Sequence, residues 1–308
     1  MAKEWRNWAE DQSCIPARIE APASRAELID SVTRAAKEGL TVRAVGQGHS
    51  FTDVACTGGV LLDLEGLGRV IEVDQEAGTV KVEAGIGLRR LNEAIWGYGL
   101  ALENLGDIDR QTISGAVSTA THGTGSRFRN VSSQIEGMEL VLPDGTLFGV
   151  SADSDRDALL AARVGLGTLG VIATVTLRTV PAFTVRRVDS PLPLDETLER
   201  IDDLADGSDH FEFYVFPHTR TALLRQSARS DEKPRPRNPI VRFGTEVVAE
   251  NWMFGAIARI GRRSPRRIPS LARFVSSQLG NSTTVDRSYR VYAKIGRASC
   301  RERVYVLV

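Results

Sequence analysis

Gly165-Leu166-Gly167-Thr168-Leu169-Gly170 carries the spacing of a dinucleotide fingerprint, and what flanks it decides the fold. That fingerprint works where a strand leads into the glycines and a helix leaves them, so that the helix N-terminus meets a pyrophosphate. Here residues 155–164 read as helix. Residues 171–180 alternate Val171, Ala173, Val175 and Leu177 inward against Ile172, Thr174, Thr176 and Arg178, as a strand does. Helix, glycines, strand is the reverse order, so a Rossmann domain is rejected and a different mixed architecture, α+β, is expected.

Upstream, Ser24 followed by Glu27 forms a capping box ahead of Leu28, Ile29, Val32, Ala35 and Ala36, and Gly39 stops the helix. A strand over 41–45 runs into Gly46-Gln47-Gly48-His49-Ser50, where two glycines let the backbone turn tightly or approach a ligand. Residues 59–64, 69–74 and 79–85 read as three short strands in a small meander. Leu88, Leu91, Ala94, Ile95 and Tyr98 then recur at helical spacing up to Gly99. The stretch 113–125 is built almost wholly of small residues, poor for packing a core and suited to backbone contact with a flat ligand. Residues 138–142 and 146–150, joined by Pro143-Asp144-Gly145, make a hairpin.

The 308 residues include 42% hydrophobic and 25% charged side chains, which fits a chain with a substantial core and excludes disorder. Thirty-nine basic residues balance thirty-nine acidic ones, so the total gives no reason to expect nucleic acid as a partner. The sign nevertheless changes along the chain. Residues 1–182 hold 17 Lys and Arg against 24 Asp and Glu, leaving 22 against 15 for 183–308. A domain boundary is therefore expected near 182, after Pro181. Beyond it, 196–204 looks helical and 211–216 looks like a strand. Residues 225–273 hold twelve basic residues against four acidic ones, with Pro234, Pro236 and Pro239, and read as an exposed basic loop and helix end.

No apolar run approaches the roughly 20 residues of a membrane span. The start, with charges and Trp5 and Trp8 where a secretory signal would be apolar, points to the cytoplasm. Cys14, Cys56 and Cys300 show no metal-ligand spacing and are read as non-catalytic, so no metal site is expected.

Val45 to Ser50, the run Thr121-His122-Gly123-Thr124-Gly125, and Gly165 to Val171 leading into a strand together resemble the PCMH-type FAD-binding domain of the vanillyl-alcohol-oxidase superfamily. Trp5-Arg6-Asn7-Trp8 and Glu212-Phe213-Tyr214-Val215-Phe216-Pro217-His218 narrow the likeness to the aldonolactone oxidases, which include gulonolactone and arabinonolactone oxidases. The resemblance implies a two-subdomain FAD-binding domain over 1–182 and a partial α+β cap, or substrate, domain over 183–293. It implies FAD as cofactor, held covalently through His49; a histidine capping a turn beside the cofactor is the other reading. Gly46, Gln47, Gly48 and Ser50 would lie on the pyrophosphate or ring. Ser114, Gly115, Ser118, Thr121, His122, Gly123 and Thr124 would line the flavin, with His122 equally readable as a packing residue. Val171 and Ile172 would touch the cofactor through main chain.

The implied reaction oxidises a CH–OH group of a sugar-1,4-lactone, with oxygen or another acceptor taking the electrons. Glu212, Tyr214 and His218 are the substrate candidates; a solvated strand face is the alternative. After Ala293 the family likeness stops, and 294–308 read like a translated sequencing adapter. A flavin-binding fragment without turnover is therefore a further expectation, because the family's catalytic residues beside the flavin follow that point. A membrane-surface or interaction module using 225–273 is the rival from another class. Doubly tethered relatives are disfavoured, since no cysteine lies between Cys56 and Cys300.

Overall fold

A computed structural model describes residues 3–236 and 254–293. The expectations placed on 294–308, on Pro239 and on the part of the basic segment from 237 to 253 lie outside the described residues. The chain divides into two compact units, Met1–His122 with Asn130–Pro181, and Gly123–Arg129 with Ala182–Val308.

The first unit opens with a short hairpin, β1 (Trp5–Arg6) and β2 (Ser13–Cys14). Next come β3 (Arg18–Glu20), α1 (Arg25–Lys37), β4 (Val42–Val45) and β5 (Val60–Asp63), a parallel sheet in the order β3-β5-β4. Half of the expected capping box forms: Ser24 Oγ accepts the Glu27 N–H at 3.2 Å, while the Glu27 carboxylate accepts the N–H of Ala23, one residue before the cap, at 3.0 Å. Val60, Leu61 and Leu62 are completely buried, as a central parallel strand covered on both faces requires. Each contributes roughly 1.5–3 kcal/mol.

The next elements are β6 (Val70–Asp74), β7 (Thr79–Glu83), α2 (Leu88–Gly97), β8 (Leu100–Ala101) and α3 (Ile113–Ser118). They lead to β9 (Ile135–Val141), β10 (Leu147–Ser151), α4 (Arg156–Arg163), β11 (Val171–Arg178) and β12 (Val180–Pro181). Five of these strands make an antiparallel sheet in the order β10-β9-β11-β7-β6. The expected meander is therefore corrected: β6 and β7 pair as a hairpin, but the strand before them belongs to the parallel sheet. The expected alternation in β11 also fails. Ile172 and Thr174 are buried along with Val171, Ala173, Val175 and Leu177, because β11 sits centrally and a register shift between Ile172 and Thr174 interrupts its period. Thr174 is satisfied by donating to the Glu139 carboxylate at 2.6 Å.

The second unit is built on β13 (Thr184–Pro193), β14 (His210–Val215), β15 (Thr221–Ser230) and β16 (Ser282–Arg287), antiparallel in the order β14-β15-β13-β16. The helix expected over 196–204 is two short ones, α5 (Leu194–Glu199) and α6 (Ile201–Asp206), meeting at Arg200. Among the described residues three more helices follow, α7 (Phe254–Arg263), α8 (Ile268–Ser277) and α9 (Ser288–Tyr292). Arg262, Arg263, Arg266 and Arg267 are exposed at the turn between α7 and α8, as the basic run suggests.

Candidate active site

The loop leaving β4 borders an open groove within the first unit, with a cavity volume of about 120 Å3. Three stretches far apart in sequence line it: Gly46 to Ser50, the polar side of α3, and the chain entering β11 at Gly170, Val171 and Ile172.

Glycine is needed in the loop for a steric reason. A Cβ on Gly46 would come within 2.2 Å of Thr112 Oγ1. Thr112 is itself committed: buried, it caps α3 by accepting the Gly115 N–H at 3.3 Å. Gly48 adopts φ +65° and is hemmed in by Trp5, Asn7 and Trp8, with a Cβ meeting the Trp5 ring at 3.2 Å. The β1–β2 hairpin thus backs the loop. Trp8 N–H donates to Gly48 O at 2.8 Å, and buried Asn7 donates from Nδ2 to Ser50 O at 2.8 Å and to Asp11 Oδ1 at 2.6 Å. Half-buried His49 stacks on the Trp8 indole, centroids 5.1 Å apart and planes 29° from parallel.

The small-residue stretch is a helix with two different faces. Ile113, Ala116 and Val117 are completely buried, so the expectation that this stretch packs poorly is corrected: its apolar residues fall at i, i+3 and i+4. Ser114, Gly115, Ser118 and Thr119 take the other side and line the groove.

Four of the expected cofactor contacts do not line it. The chain leaves α3 through Ala120 at φ +55° and turns away. Thr121 stands one hydrogen bond back, accepting from Gln111 Nε2 at 3.1 Å, while Gln111 itself lines the groove. His122 ends its stretch of the first unit, and Gly123 and Thr124 belong to the second. There, Thr124 O accepts from His210 Nδ1 at 2.9 Å, and Gly125 at φ +95° leaves no room for a Cβ beside the Asp209 carbonyl. Gln111, Thr112 and Arg43, whose Nη1 donates to Leu166 O at 3.2 Å, are groove residues that the sequence reading missed. A threonine three residues before Gly115 was a usable cap signal; nothing marked Arg43.

The second unit carries a polar row across its sheet. Glu212 on β14, Arg225 on β15, Asp189 on β13 and Ser282 on β16 are direct cross-strand partners. Arg225 donates to Asp189 Oδ1 at 3.1 Å, Glu212 Oε1 at 3.0 Å and the Tyr214 hydroxyl at 3.3 Å. Ser282 Oγ donates to Asp189 Oδ2 at 3.3 Å, and buried Arg187 pairs with Asp189 at 3.0 Å. Burial works against the Arg225 charge, but Tyr214, Asp189 and Glu212 more than offset it and hold its pKa above the ordinary value. Glu212 and Tyr214 are therefore brought together, through an arginine first read as part of a basic surface segment. His218 does not join them. It lies exposed in the turn after β14 at φ +63°.

Among the described residues no group of three or more His, Cys, Asp or Glu could hold a metal ion, and no helix is long and apolar enough to cross a membrane.

Comparison with known proteins bears directly on the groove. Residues 16–151 match the family model described as FAD binding domain, and residues 175–303 match that of D-arabinono-1,4-lactone oxidase. The chain is 47% identical to L-gulono-1,4-lactone dehydrogenase of Mycobacterium tuberculosis (strain ATCC 25618 / H37Rv) over 310 residues, covering 100% of this chain and 71% of that protein. L-gulonolactone oxidase of Mus musculus is 36% identical over 75% of this chain, which spans 52% of its length. D-arabinono-1,4-lactone oxidase of Yarrowia lipolytica is 32% identical over 91% of this chain and 54% of its own. In architecture the chain resembles a solvent-stable cholesterol oxidase, with a TM-score of 0.73 at 17% identity, covering 99% of this chain and 66% of that one.

Proposed function

The chain belongs to the aldonolactone oxidase family of FAD-dependent oxidoreductases, and from that membership we propose that it holds FAD in the groove bordered by His49 and oxidises a CH–OH group of a sugar-1,4-lactone. The observation that carries this reading is the convergence of Gly46 to Ser50, one face of α3, and Gly170 to Ile172 on a single open groove.

The residues present fit a flat, polar cofactor. Gly46, Gly48, Gly115 and Gly170 keep Cβ atoms off the walls, while Ser50, Ser114 and Ser118 supply short hydrogen-bonding side chains. When bound, the flavin would accept hydride from the lactone carbon and pass the electron pair to oxygen or another acceptor. His49 is the residue that would carry the covalent link. Its imidazole is oriented by the Trp8 face and stands on a loop fixed from behind by Asn7. The backbone of the Gly46 to Ser50 loop would bind, and α3 would orient, the cofactor. Glu212 and Tyr214, gathered by Arg225, are the groups proposed to meet a polyhydroxylated lactone.

Acid denaturation of the purified protein tests the reading. Yellow colour and flavin fluorescence are expected to stay with the precipitated wild-type chain and to pass into the supernatant for His49→Ala. Flavin absent from both fractions of the wild type refutes the cofactor assignment, and flavin released equally from both proteins refutes the covalent link.

A further inference from the structure

Two cysteines that the proposed function does not use stand where the N-terminal hairpin meets the groove loop. Cys14 is on β2, and Cys56 follows the turn Asp53–Ala55, whose Val54 and Ala55 line the groove. The segments carrying them are fastened together on both sides of the pair. Before it, Gln12 Nε2 donates to Phe51 O at 3.3 Å; after it, Ala17 N–H donates to Gly58 O at 3.0 Å, and Arg18 pairs with Val60 as β3 joins β5. Both side chains are half-buried free thiols. They also sense one another: burial first, then the Cys14 thiol beside it, push the Cys56 thiol up to about 11.

We propose that Cys14 and Cys56 form a dithiol modification site that closes reversibly to a disulfide, stapling the β1–β2 hairpin to the far end of the loop that carries His49. The oxidant is hydrogen peroxide. One thiolate attacks the peroxide O–O bond, giving a sulfenic acid and water; the second thiol displaces that oxygen as another water while the S–S bond forms. Two thiols lose two electrons and two protons, and one peroxide becomes two waters. The loop so closed contains α1, β4 and the whole Gly46 to Ser50 segment, so the bond restricts the unfolded chain over the part that shapes the groove.

The test uses the full chain, reduced and then treated with hydrogen peroxide, and reads thiols rather than flavin or activity, so it stands or falls apart from the cofactor assignment. Of the three cysteines in the sequence, one is expected to remain alkylatable after oxidation. Peptide mapping is expected to find Cys14 and Cys56 cross-linked, about 2 Da lighter than the separate thiol peptides. Three alkylatable thiols, a cross-link through Cys300, or separately oxidised Cys14 and Cys56 would overturn the pairing. On the same wild-type protein, oxidation is expected to raise the thermal midpoint of unfolding on the order of 5 °C, reversed by dithiothreitol. A cross-linked chain with an unchanged or lower midpoint overturns the stapling role.

Discussion

The groove of the first unit and the polar row of the second are built by opposite means. In the groove the construction rests on what side chains leave out: Gly46 and Gly48 are boxed in by Thr112 and by Trp5, Asn7 and Trp8, and glycine backbone and short hydroxyls make up much of the lining beside Arg43, Gln47, His49 and Gln111. In the row, carboxylates from two strands converge on Arg225 on the strand between them, with Ser282 closing the line on the fourth strand. The first kind of site tolerates no added atom, and the second tolerates no missing charge. Substitutions in the two should therefore fail differently.

The largest loss is expected at the row. Arg225→Met keeps much of the volume but leaves the Glu212 and Asp189 carboxylates short of their shared partner, at a cost of about 3 kcal/mol, read from urea unfolding. A change below about 1 kcal/mol would mean that water screens the row as it does a surface pair. At the groove, Gly46→Ala drives a methyl into the Thr112 side chain and should cost about 2 kcal/mol. Flavin content per chain should fall further than that stability loss explains, because the loop must move to make room. Equal flavin content in the variant and the wild type would break the contrast.

The smallest effect concerns His210, which joins the second unit's sheet to the segment Gly123–Arg129. The ring lies flat on Phe128 at 4.6 Å and tilted to Tyr292 at 4.7 Å, and its Nε2 is buried without a hydrogen-bond partner. Burial lowers its pKa. The Thr124 carbonyl, Asp209 and Glu212 oppose that effect, and Arg229 adds to it. The unfolded chain then takes up a proton near the ordinary 6.5 while the folded ring stays neutral, so stability is intact above that pH and declines as pH falls toward the folded value. Thermal midpoints at pH 7.5 and 5.0 should drop less in His210→Phe than in the wild type. An equal drop assigns the acid sensitivity to other groups.

Legibility followed the same division. Ser24, Glu27 and Gly39 announced α1 because capping and helix termination are local, and the helix-glycine-strand order around Gly165 to Gly170 was likewise readable from neighbours. The loop at Gly46 to Ser50 and Ser114, Gly115 and Ser118 were found from small-residue composition, and they do line one groove. What escaped was set by tertiary pairing. The strand Val60–Asp63 joined a different sheet from its sequence neighbours, and β11 lost its alternation because α1 and α3 pack against it and a register shift between Ile172 and Thr174 interrupts its period. Arg225 looked like one more basic residue, since only the cross-strand register puts carboxylates on either side of it. Thr121 to Thr124 do not line that groove for a related reason: after the left-handed residue Ala120, Thr121 stands behind Gln111, and Gly123 and Thr124 belong to the second unit.

The central position of β11 orders events during biosynthesis. The groove's walls begin with β4 but are completed by Val171 and Ile172, and β11 pairs with β7 and β9, which were translated long before it. A nascent polypeptide emerging from the ribosome therefore has the glycine loop early, yet no complete groove until β11 clears the exit tunnel. A chain stalled upstream of residue 171 therefore lacks one wall of the groove in which the proposed cofactor would be held.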